Sequence, residues 1–203
     1  ANGNRADVLI KGGAPGVYSL RKLSYNQGLG PTPEAILATV VVQGKQMDMP
    51  FPTELPTAGQ LPFVQDAELT GSRQLVFDVQ FNNGQLQFLI DGTEFDMDKV
   101  NQTIKLGAVE EWTVLNNSGG QHPFHIHVNP FQVTKINGQP VDSPMWQDTV
   151  ILPVASTADD GSTIPGSVTF RSRFLDFDGK FVLHCHILPH EDLGMMQIVE
   201  IVP

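Results

Sequence analysis

Residues 184–195 read HCHILPHEDLGM and contain the only cysteine of the chain together with three of its six histidines. The other three histidines lie in residues 122–127, which read HPFHIH. Side chains alternate between the two faces of a β-strand, so in a strand the imidazoles of His184 and His186 lie on one face and the thiol of Cys185 lies on the other. The two segments therefore predict strands that carry different chemistry on their two faces.

The same alternation sorts the remaining histidines into two groups. His125 and His127 share a face, whereas His122 lies an odd number of positions away and falls on the other face if the strand begins there. One face is predicted to gather four imidazoles: His125, His127, His184 and His186. The opposite face is predicted to gather His122 and Cys185. Six histidines placed around one cysteine favour a metal site over isolated packing or surface positions.

The loop after Cys185 completes one of these groups, because it adds His190 and Met195. Two imidazoles, one thiolate and a weak axial thioether are the ligands of a blue-copper electron-transfer centre. Zinc is the alternative metal, but structural zinc sites use several cysteines or compact cysteine and histidine pairs. A single cysteine with six histidines therefore favours copper.

The rest of the chain reads as all-β, because short runs of Val, Ile, Leu, Phe and Thr alternate with Gly, Pro and Asn-Gly turns. In residues 62–203 this pattern predicts ten strands and one short helical turn near residues 188–192. The strands are expected near 73–82, 86–90, 103–107, 111–116, 123–128, 131–137, 147–152, 167–174, 180–186 and 195–201. Regular spacing of this kind predicts a β-sandwich or Greek-key barrel.

The first part of the chain predicts less structure. Residues 1–50 contain three strand-like runs, at 6–11, 16–25 and 36–43, which are too few for a barrel. They are interpreted as a partial β domain. Residues 51–61 are rich in proline and are predicted to be an extended linker.

Composition excludes several classes of function. The 203 residues carry a formal charge of −10, and lysine and arginine do not cluster, so a nucleic-acid surface is not expected. No run approaches 18 apolar residues, so no membrane span is expected. The single cysteine cannot form a disulfide within the chain.

The two histidine-rich segments resemble a known pair of motifs. Residues 122–127 resemble the HPxHxH motif of multicopper oxidases, and residues 184–195 resemble their HCHxxxHxxxGM motif. The resemblance is to laccase-like enzymes of the bacterial three-domain type. It implies that 62–203 is the C-terminal copper-binding cupredoxin domain, a Greek-key β-sandwich, and that 1–50 are the last strands of a preceding cupredoxin domain.

The resemblance also implies a role for each ligand. It assigns type 1 copper to His122, Cys185, His190 and Met195. It assigns the trinuclear cluster to His125 as a type 2 ligand and to three type 3 ligands: His127, His184 and His186. Cys185 would then carry electrons from one centre to the other. Glu191 is the candidate for proton delivery to the oxygen-reducing site, and a solvated loop carboxylate is the alternative reading. Trp146 and Asp148 are interpreted as structural supports, and a role on the substrate side is the alternative.

The implied reaction takes single electrons from a reducing substrate at type 1 copper and reduces O2 to water. A phenol or aromatic amine is the expected substrate class, with a metal ion as the alternative. Residues 117–121 lack the Met and Asp that cuprous-oxidase relatives tend to carry, which favours an organic donor.

The resemblance further implies that the cluster needs eight histidines, four of them from an N-terminal cupredoxin domain. This chain supplies four, so we expect it to be part of a longer parent and to be inactive alone. A periplasmic or secreted location is expected for such a copper enzyme.

Three alternatives remain open from the residues. A non-enzymatic blue-copper electron carrier would use only the first group and leave four histidines without a purpose. A protein like copper nitrite reductase would also join two copper sites through adjacent Cys and His, but it does not need a histidine on both sides of the cysteine. A copper-free structural cupredoxin would not keep a complete ligand set.

Overall fold

The computed structural model describes residues 2–28, 30–45, 47–54, 61–142 and 144–203, and the chain divides into two compact units. One unit is residues 5–60, and the other is residues 61–203 together with residues 1–4. The sequence placed residues 1–4 with the first part of the chain. Of these, residues 2–4 group with the larger unit, where the Asn4 side chain donates a hydrogen bond of 2.8 Å to the backbone oxygen of Thr149. Of the predicted linker, residues 55–60 lie outside the described residues.

The described residues of the smaller unit contain two small antiparallel sheets. Strand β1 pairs with β4, and β2 pairs with β3. Their bounds are β1 Gly16–Lys22, β2 Tyr25–Asn26, β3 Pro31–Thr32 and β4 Ala35–Val42. The strands expected at 16–25 and 36–43 are therefore present. The strand expected at 6–11 is absent: strand-like residues form a strand only when their backbone pairs with a neighbouring one, and residues 6–11 form no such pairing with the described residues.

The larger unit is a β-sandwich with one short helix, α1, among its described residues. Its strands are β5 Gly71–Asn82, β6 Gln85–Ile90, β7 Val100–Lys105, β8 Val109–Asn116, β9 His122–Ile126, β10 Phe131–Ile136, β11 Gln139–Pro140, β12 Trp146–Gln147, β13 Thr149–Leu152, β14 Ser156–Thr157, β15 Thr163–Ile164, β16 Gly166–Arg173, β17 Gly179–Cys185 and β18 Met196–Val202. Helix α1 spans Leu188–Asp192, and a single 3-10 turn spans Asp66–Glu68. The all-β sandwich predicted from the sequence is confirmed.

Two sheets form the body of this unit in the described chain. One runs in the order β11-β10-β16-β8-β5-β6, with β12 also paired to β10, and the other runs β13-β9-β17-β18-β7. The chain crosses repeatedly between them, since β6 is followed by β7, β8 by β9 and β9 by β10 in alternate sheets. Strands β9 and β17, which carry the two histidine-rich segments, are neighbours inside the second sheet.

An aromatic core joins the two sheets. Phe124 of β9 lies 5.8 Å from Phe131 and 5.3 Å from Phe170 of the other sheet, between ring centroids. All three rings are fully buried, and Trp112 stacks on Phe170 at 5.8 Å. Burying these rings supplies much of the apolar contact that holds the sheets face to face. Within the described residues, no helix is long and apolar enough to cross a membrane.

Candidate metal centres

The register between β9 and β17 places the two motifs side by side. His184 pairs directly with His125, and Cys185 pairs with Phe124. The backbone N–H of His186 then donates to the oxygen of Pro123 at 2.7 Å, and that of Cys185 donates to the oxygen of Met195 at 3.0 Å. Cys185 is therefore fixed on both sides, with its side chain facing one way and those of its two sequence neighbours facing the other.

The first ligand group consists of His122, Cys185 and His190, whose donor atoms converge. The sulfur of Cys185 lies 3.5 Å from Nδ1 of His122 and 3.7 Å from Nδ1 of His190. The two Nδ1 atoms are 3.2 Å apart. Three donors in a triangle of this size surround a point where one ion can bind all of them.

Burial sets the protonation of this group. It raises the pKa of the Cys185 thiol to about 12. It also lowers the pKa of His122 to about 3, with a further contribution from the neighbouring His190. The imidazole is therefore neutral, which is the form that binds a metal, whereas the thiol must lose its proton to become a ligand.

The loop after β17 brings the remaining ligand back to the group. Helix α1 contains His190, and the N–H of Met195 donates to the oxygen of His190 at 2.9 Å. The turn requires Gly194, which has a φ of +111° and lies so close to Glu94 that an added Cβ would sit 2.9 Å from the Cβ of that residue. Met195 is fully buried beside Cys185, as expected for the axial thioether.

Two contacts to the first group were not predicted from the sequence. The Phe88 ring stacks on His190, with centroids 4.2 Å apart and an interplanar angle of 23°. The hydroxyl of Ser118 lies 2.8 Å from Nε2 of His122. Neither residue belongs to a recognisable motif. Ser118 lies four positions before His122, a spacing that a turn can bring together, whereas Phe88 reaches the site only through the packing of β6.

The second group lies on the other face and contains His125, His127 and His184. One ligand nitrogen from each lies within 4.8 Å of the others, and the Nε2 atoms of His127 and His184 are 3.2 Å apart. The predicted fourth member, His186, has its ring centroid 5.3 Å from that of His125 and 5.4 Å from that of His184. The ligand nitrogens of His125, His127 and His184 thus converge as the alternation predicted, and the ring of His186 lies beside them.

Backbone and side-chain acceptors fix the ring orientation of two members. Nδ1 of His125 donates to the backbone oxygen of Asp148 at 2.8 Å. Nδ1 of His184 lies 3.1 Å from the backbone oxygen of Cys185 and 3.0 Å from the Glu191 carboxylate. Since these oxygens can only accept, the proton is on Nδ1 and the Nε2 lone pair is left for a metal. Burial lowers the pKa of both imidazoles, and of His127, which favours the neutral form.

The second group lies at an open cleft of about 360 Å³. His125, His127, Val128 and Asp148 are among the residues that line it. Gly3 packs against His186, and a Cβ on it would lie 2.8 Å from Cδ2 of the ring. That glycine has a φ of +83°, so both space and backbone conformation require it there. No feature of the sequence pointed to it.

The donor chemistry of both groups fits copper. His122, Cys185, His190 and Met195 form a type 1 set, in which the thiolate and thioether suit a soft ion and the neutral imidazoles suit copper. His125, His127 and His184 form a triad of the kind found in trinuclear sites. The copper cofactor expected from the sequence is therefore confirmed at the level of its ligands.

Comparison with known proteins agrees with this chemistry. The sequence profile of a family described as multicopper oxidase matches residues 68–203. A laccase of Bacillus stratosphericus is 30% identical over 160 residues, covering 72% of this chain and 31% of the relative. A laccase of Haloferax volcanii is 32% identical over 149 residues, covering 72% of this chain and 24% of the relative.

Solved structures share the fold. A laccase from Pediococcus acidilactici superposes with a TM-score of 0.61 at 31% identity, covering 78% of this chain and 32% of that one. A metallo-oxidase from Campylobacter jejuni superposes with a TM-score of 0.67 at 24% identity, covering 94% of this chain and 42% of that one. The chain spans between about a quarter and a third of the length of the two laccases compared by sequence.

Proposed function

The chain belongs to the multicopper oxidase family, and we propose that it is the C-terminal part of an oxidase that takes single electrons from a reducing substrate and delivers them to O2. The observation that carries the proposal is the position of Cys185. Its sulfur belongs to the type 1 set, while the rings of its two sequence neighbours, His184 and His186, lie in the other group. One short piece of backbone therefore joins the two ligand groups covalently.

The residues of the type 1 set differ in their exposure to solvent. His122 and Cys185 are buried and exclude water, so these residues would hold a bound copper ion in a fixed, dry environment. His190 lies in helix α1, partly exposed, with the Phe88 ring stacked on it. Bound copper would supply the one-electron oxidation of the donor and the reduction of O2 to water. The chain itself fixes the ligands in advance, so little structural change would accompany a change in the charge of the bound ion.

Glu191 is proposed to hold a proton for the oxygen-reducing group. Its carboxylate accepts a hydrogen bond of 3.0 Å from Nδ1 of His184 and lines a cleft on the protein surface. A carboxyl group placed between solvent and a ligand of the second group can collect protons and pass them inward. Oxygen reduction consumes protons, so such a group has a function there that an isolated surface carboxylate lacks.

The reducing substrate is proposed to be a phenol or aromatic amine. The relatives named above include laccases, and residues 117–121 read NSGGQ, without the Met and Asp that would favour a metal ion as donor. A periplasmic or secreted location is part of the same proposal and rests on the copper chemistry alone.

We also propose that the chain alone does not turn over. It has six histidines, of which two belong to the type 1 set, so four remain for the second group. The family resemblance calls for further histidines from an N-terminal cupredoxin domain. A simple electron carrier remains the second candidate, but the convergence of His125, His127 and His184 on one point has no role in such a protein.

Copper titration with oxygen uptake tests both parts of the proposal. The copper-loaded chain should become blue with one type 1 copper and should consume no oxygen beyond background with a phenolic donor. A longer protein that carries this segment should consume oxygen, and its Cys185→Ala variant should not. Failure of the chain to become blue would contradict the type 1 assignment. Sustained four-electron oxygen reduction by the chain alone would contradict the claim that it is incomplete.

A further inference from the structure

A buried hydroxyl holds the far nitrogen of one type 1 ligand. We propose that Ser118 is a positioning residue for His122: its hydroxyl accepts the Nε2 proton, keeps Nδ1 free for copper and thereby lowers the reduction potential of the type 1 site. This inference rests on the proposed function, because it concerns the same site.

The two nitrogens of His122 have different neighbours. Nδ1 faces the ligand group, 3.5 Å from the sulfur of Cys185 and 3.2 Å from Nδ1 of His190. Nε2 faces away from that group and lies 2.8 Å from Oγ of Ser118. Among the described residues, Ser118 is the hydrogen-bond partner of this nitrogen. The ring is therefore held from behind by the serine.

Counting protons gives the hydrogen bonds a direction. A neutral imidazole has one N–H, and a metal at Nδ1 needs the lone pair there, so the proton is on Nε2 and is donated to Oγ of Ser118. The serine then donates its own proton to Oδ1 of Asn116 at 2.8 Å. The Asn116 amide donates in turn to the backbone oxygens of Gly120 and Pro153, both at 2.8 Å. Every donor in the series has an acceptor.

The hydrogen bonds that run from His122 through Ser118 to Asn116 are shielded from solvent. Asn116 and His122 are buried, and Ser118 is 8% exposed. The N–H of Ser118 also donates to Oδ1 of Asn116 at 2.9 Å, so the serine backbone and side chain are held by the same amide. Removing the Ser118 hydroxyl would leave the Nε2 proton buried without its acceptor. The site would then no longer favour the tautomer of His122 with its proton on Nε2.

The arrangement affects copper through the basicity of the ring. An acceptor on Nε2–H draws the proton outward and makes Nδ1 a stronger donor. A stronger donor stabilises the oxidised ion more than the reduced ion, since the oxidised ion carries the higher charge. The potential with Ser118 present should therefore be lower than without it. His190 differs, because the Phe88 ring holds it by stacking.

The first test measures the potential of the blue, copper-loaded chain by titration against a one-electron mediator. Ser118→Ala should raise the potential, shifting the equilibrium constant with the mediator about threefold to tenfold, where tenfold corresponds to 59 mV for one electron. Ser118→Thr keeps a hydroxyl and should restore the wild-type value. The matched control is Ser172→Ala, because that buried hydroxyl donates at 2.9 Å to the backbone oxygen of Pro130 and not to a ligand. An unchanged potential in Ser118→Ala, or an equal shift in Ser172→Ala, would overturn the inference.

The second test needs no copper. Long-range proton–nitrogen NMR on the metal-free chain reports which nitrogen of His122 carries the proton. We expect Nε2–H in the wild type and a mixture of tautomers in Ser118→Ala. A proton on Nδ1 in the wild type, or the same tautomer in both chains, would refute the role of Ser118. If the wild-type chain fails to become blue while the NMR result is as expected, the proposed function fails and the positioning role of Ser118 stands.

Discussion

The two ligand groups lie back to back across β17 and differ in how the chain encloses them. His122, Cys185 and Met195 are buried in the sandwich, and the whole type 1 set comes from residues 122–195. On the other face His127 is exposed at an open cleft, and His186 is partly exposed. A ligand set inside a core is completed by the fold that makes the core. A set at an open surface can accept ligands from another domain, and this is what the proposed function requires.

Removing Cys185, the thiolate of the type 1 set, is the strongest test of this comparison. Cys185→Ala should abolish the blue absorption and the type 1 electron paramagnetic resonance signal completely, because no other thiolate exists in the chain. His127→Ala removes a ligand from the open group only and should leave both signals intact. Blue copper in Cys185→Ala would contradict the type 1 assignment of Cys185, and the loss of blue copper in His127→Ala would show that the two groups are not separate.

Removing a large core side chain should destabilise the sandwich that encloses the type 1 set. Phe124 is fully buried between the two sheets, and Phe124→Ala should lower the free energy of unfolding by about 3–5 kcal/mol. Urea denaturation of the metal-free chain measures this. The matched control is Phe81→Ala, since that ring is 73% exposed and its loss should change stability by less than about 0.5 kcal/mol. Equal effects of the two changes would contradict the assignment of Phe124 to a shared core.

The free energy of unfolding should depend on pH more strongly through a buried histidine than through an exposed one. In the metal-free folded chain the pKa of His122 is about 3, against 6.5 when unfolded. Between these values the unfolded chain binds a proton that the folded chain does not, so stability falls as the pH falls, by about 1.4 kcal/mol per pH unit. Denaturation at pH 6.5, 5.5 and 4.5 measures the slope.

In the His122→Gln variant, the contribution of His122 to the slope of unfolding free energy against pH should disappear. His127 is the exposed member of the second group, so His127→Gln should change this slope less. If His127→Gln flattened the profile as much as His122→Gln, burial would not be the cause of the difference.

The smallest expected effect concerns the backbone beside the open group. Val128 follows His127 with a φ of +66°, a conformation that β-branched residues rarely adopt, and its side chain is 51% exposed. Val128→Gly should raise the free energy of unfolding by about 1 kcal/mol, because glycine relieves the strain. Val154 is 37% exposed and has no positive φ, so Val154→Gly should lower stability instead. The same sign for both variants in thermal denaturation would exclude strain at Val128.

Much of the sandwich was predictable, because its strands carry both the expected residue types and clear turns. The ten strands expected in 62–203 are present within a few residues of their predicted bounds, and the helical turn at 188–192 is α1. The short pairs β11 with β10 and β14 with β15 were not predicted, since two-residue strands have too little sequence to form a pattern. Residues 6–11 were predicted to be a strand and are not.

The residues of the two metal sites also divide into those that the sequence could predict and those that it could not. Alternation along β9 and β17 was enough to separate His122 and Cys185 from His125 and His184. Ser118, Phe88 and Gly3 could not be found by that rule, because their contacts to ligands depend on how a turn, a second strand and the N-terminal residues pack. The assignments of Glu191 to proton delivery and of residues 1–50 to a preceding domain stay predictions.

The single cysteine also makes this chain its own probe of opening. With the sulfur fully buried and its pKa at about 12, an alkylating reagent can modify the metal-free chain only when the sandwich opens. The rate of modification therefore counts opening events at one atom, without any engineered label. The same burial keeps two folded copies from becoming cross-linked through that sulfur.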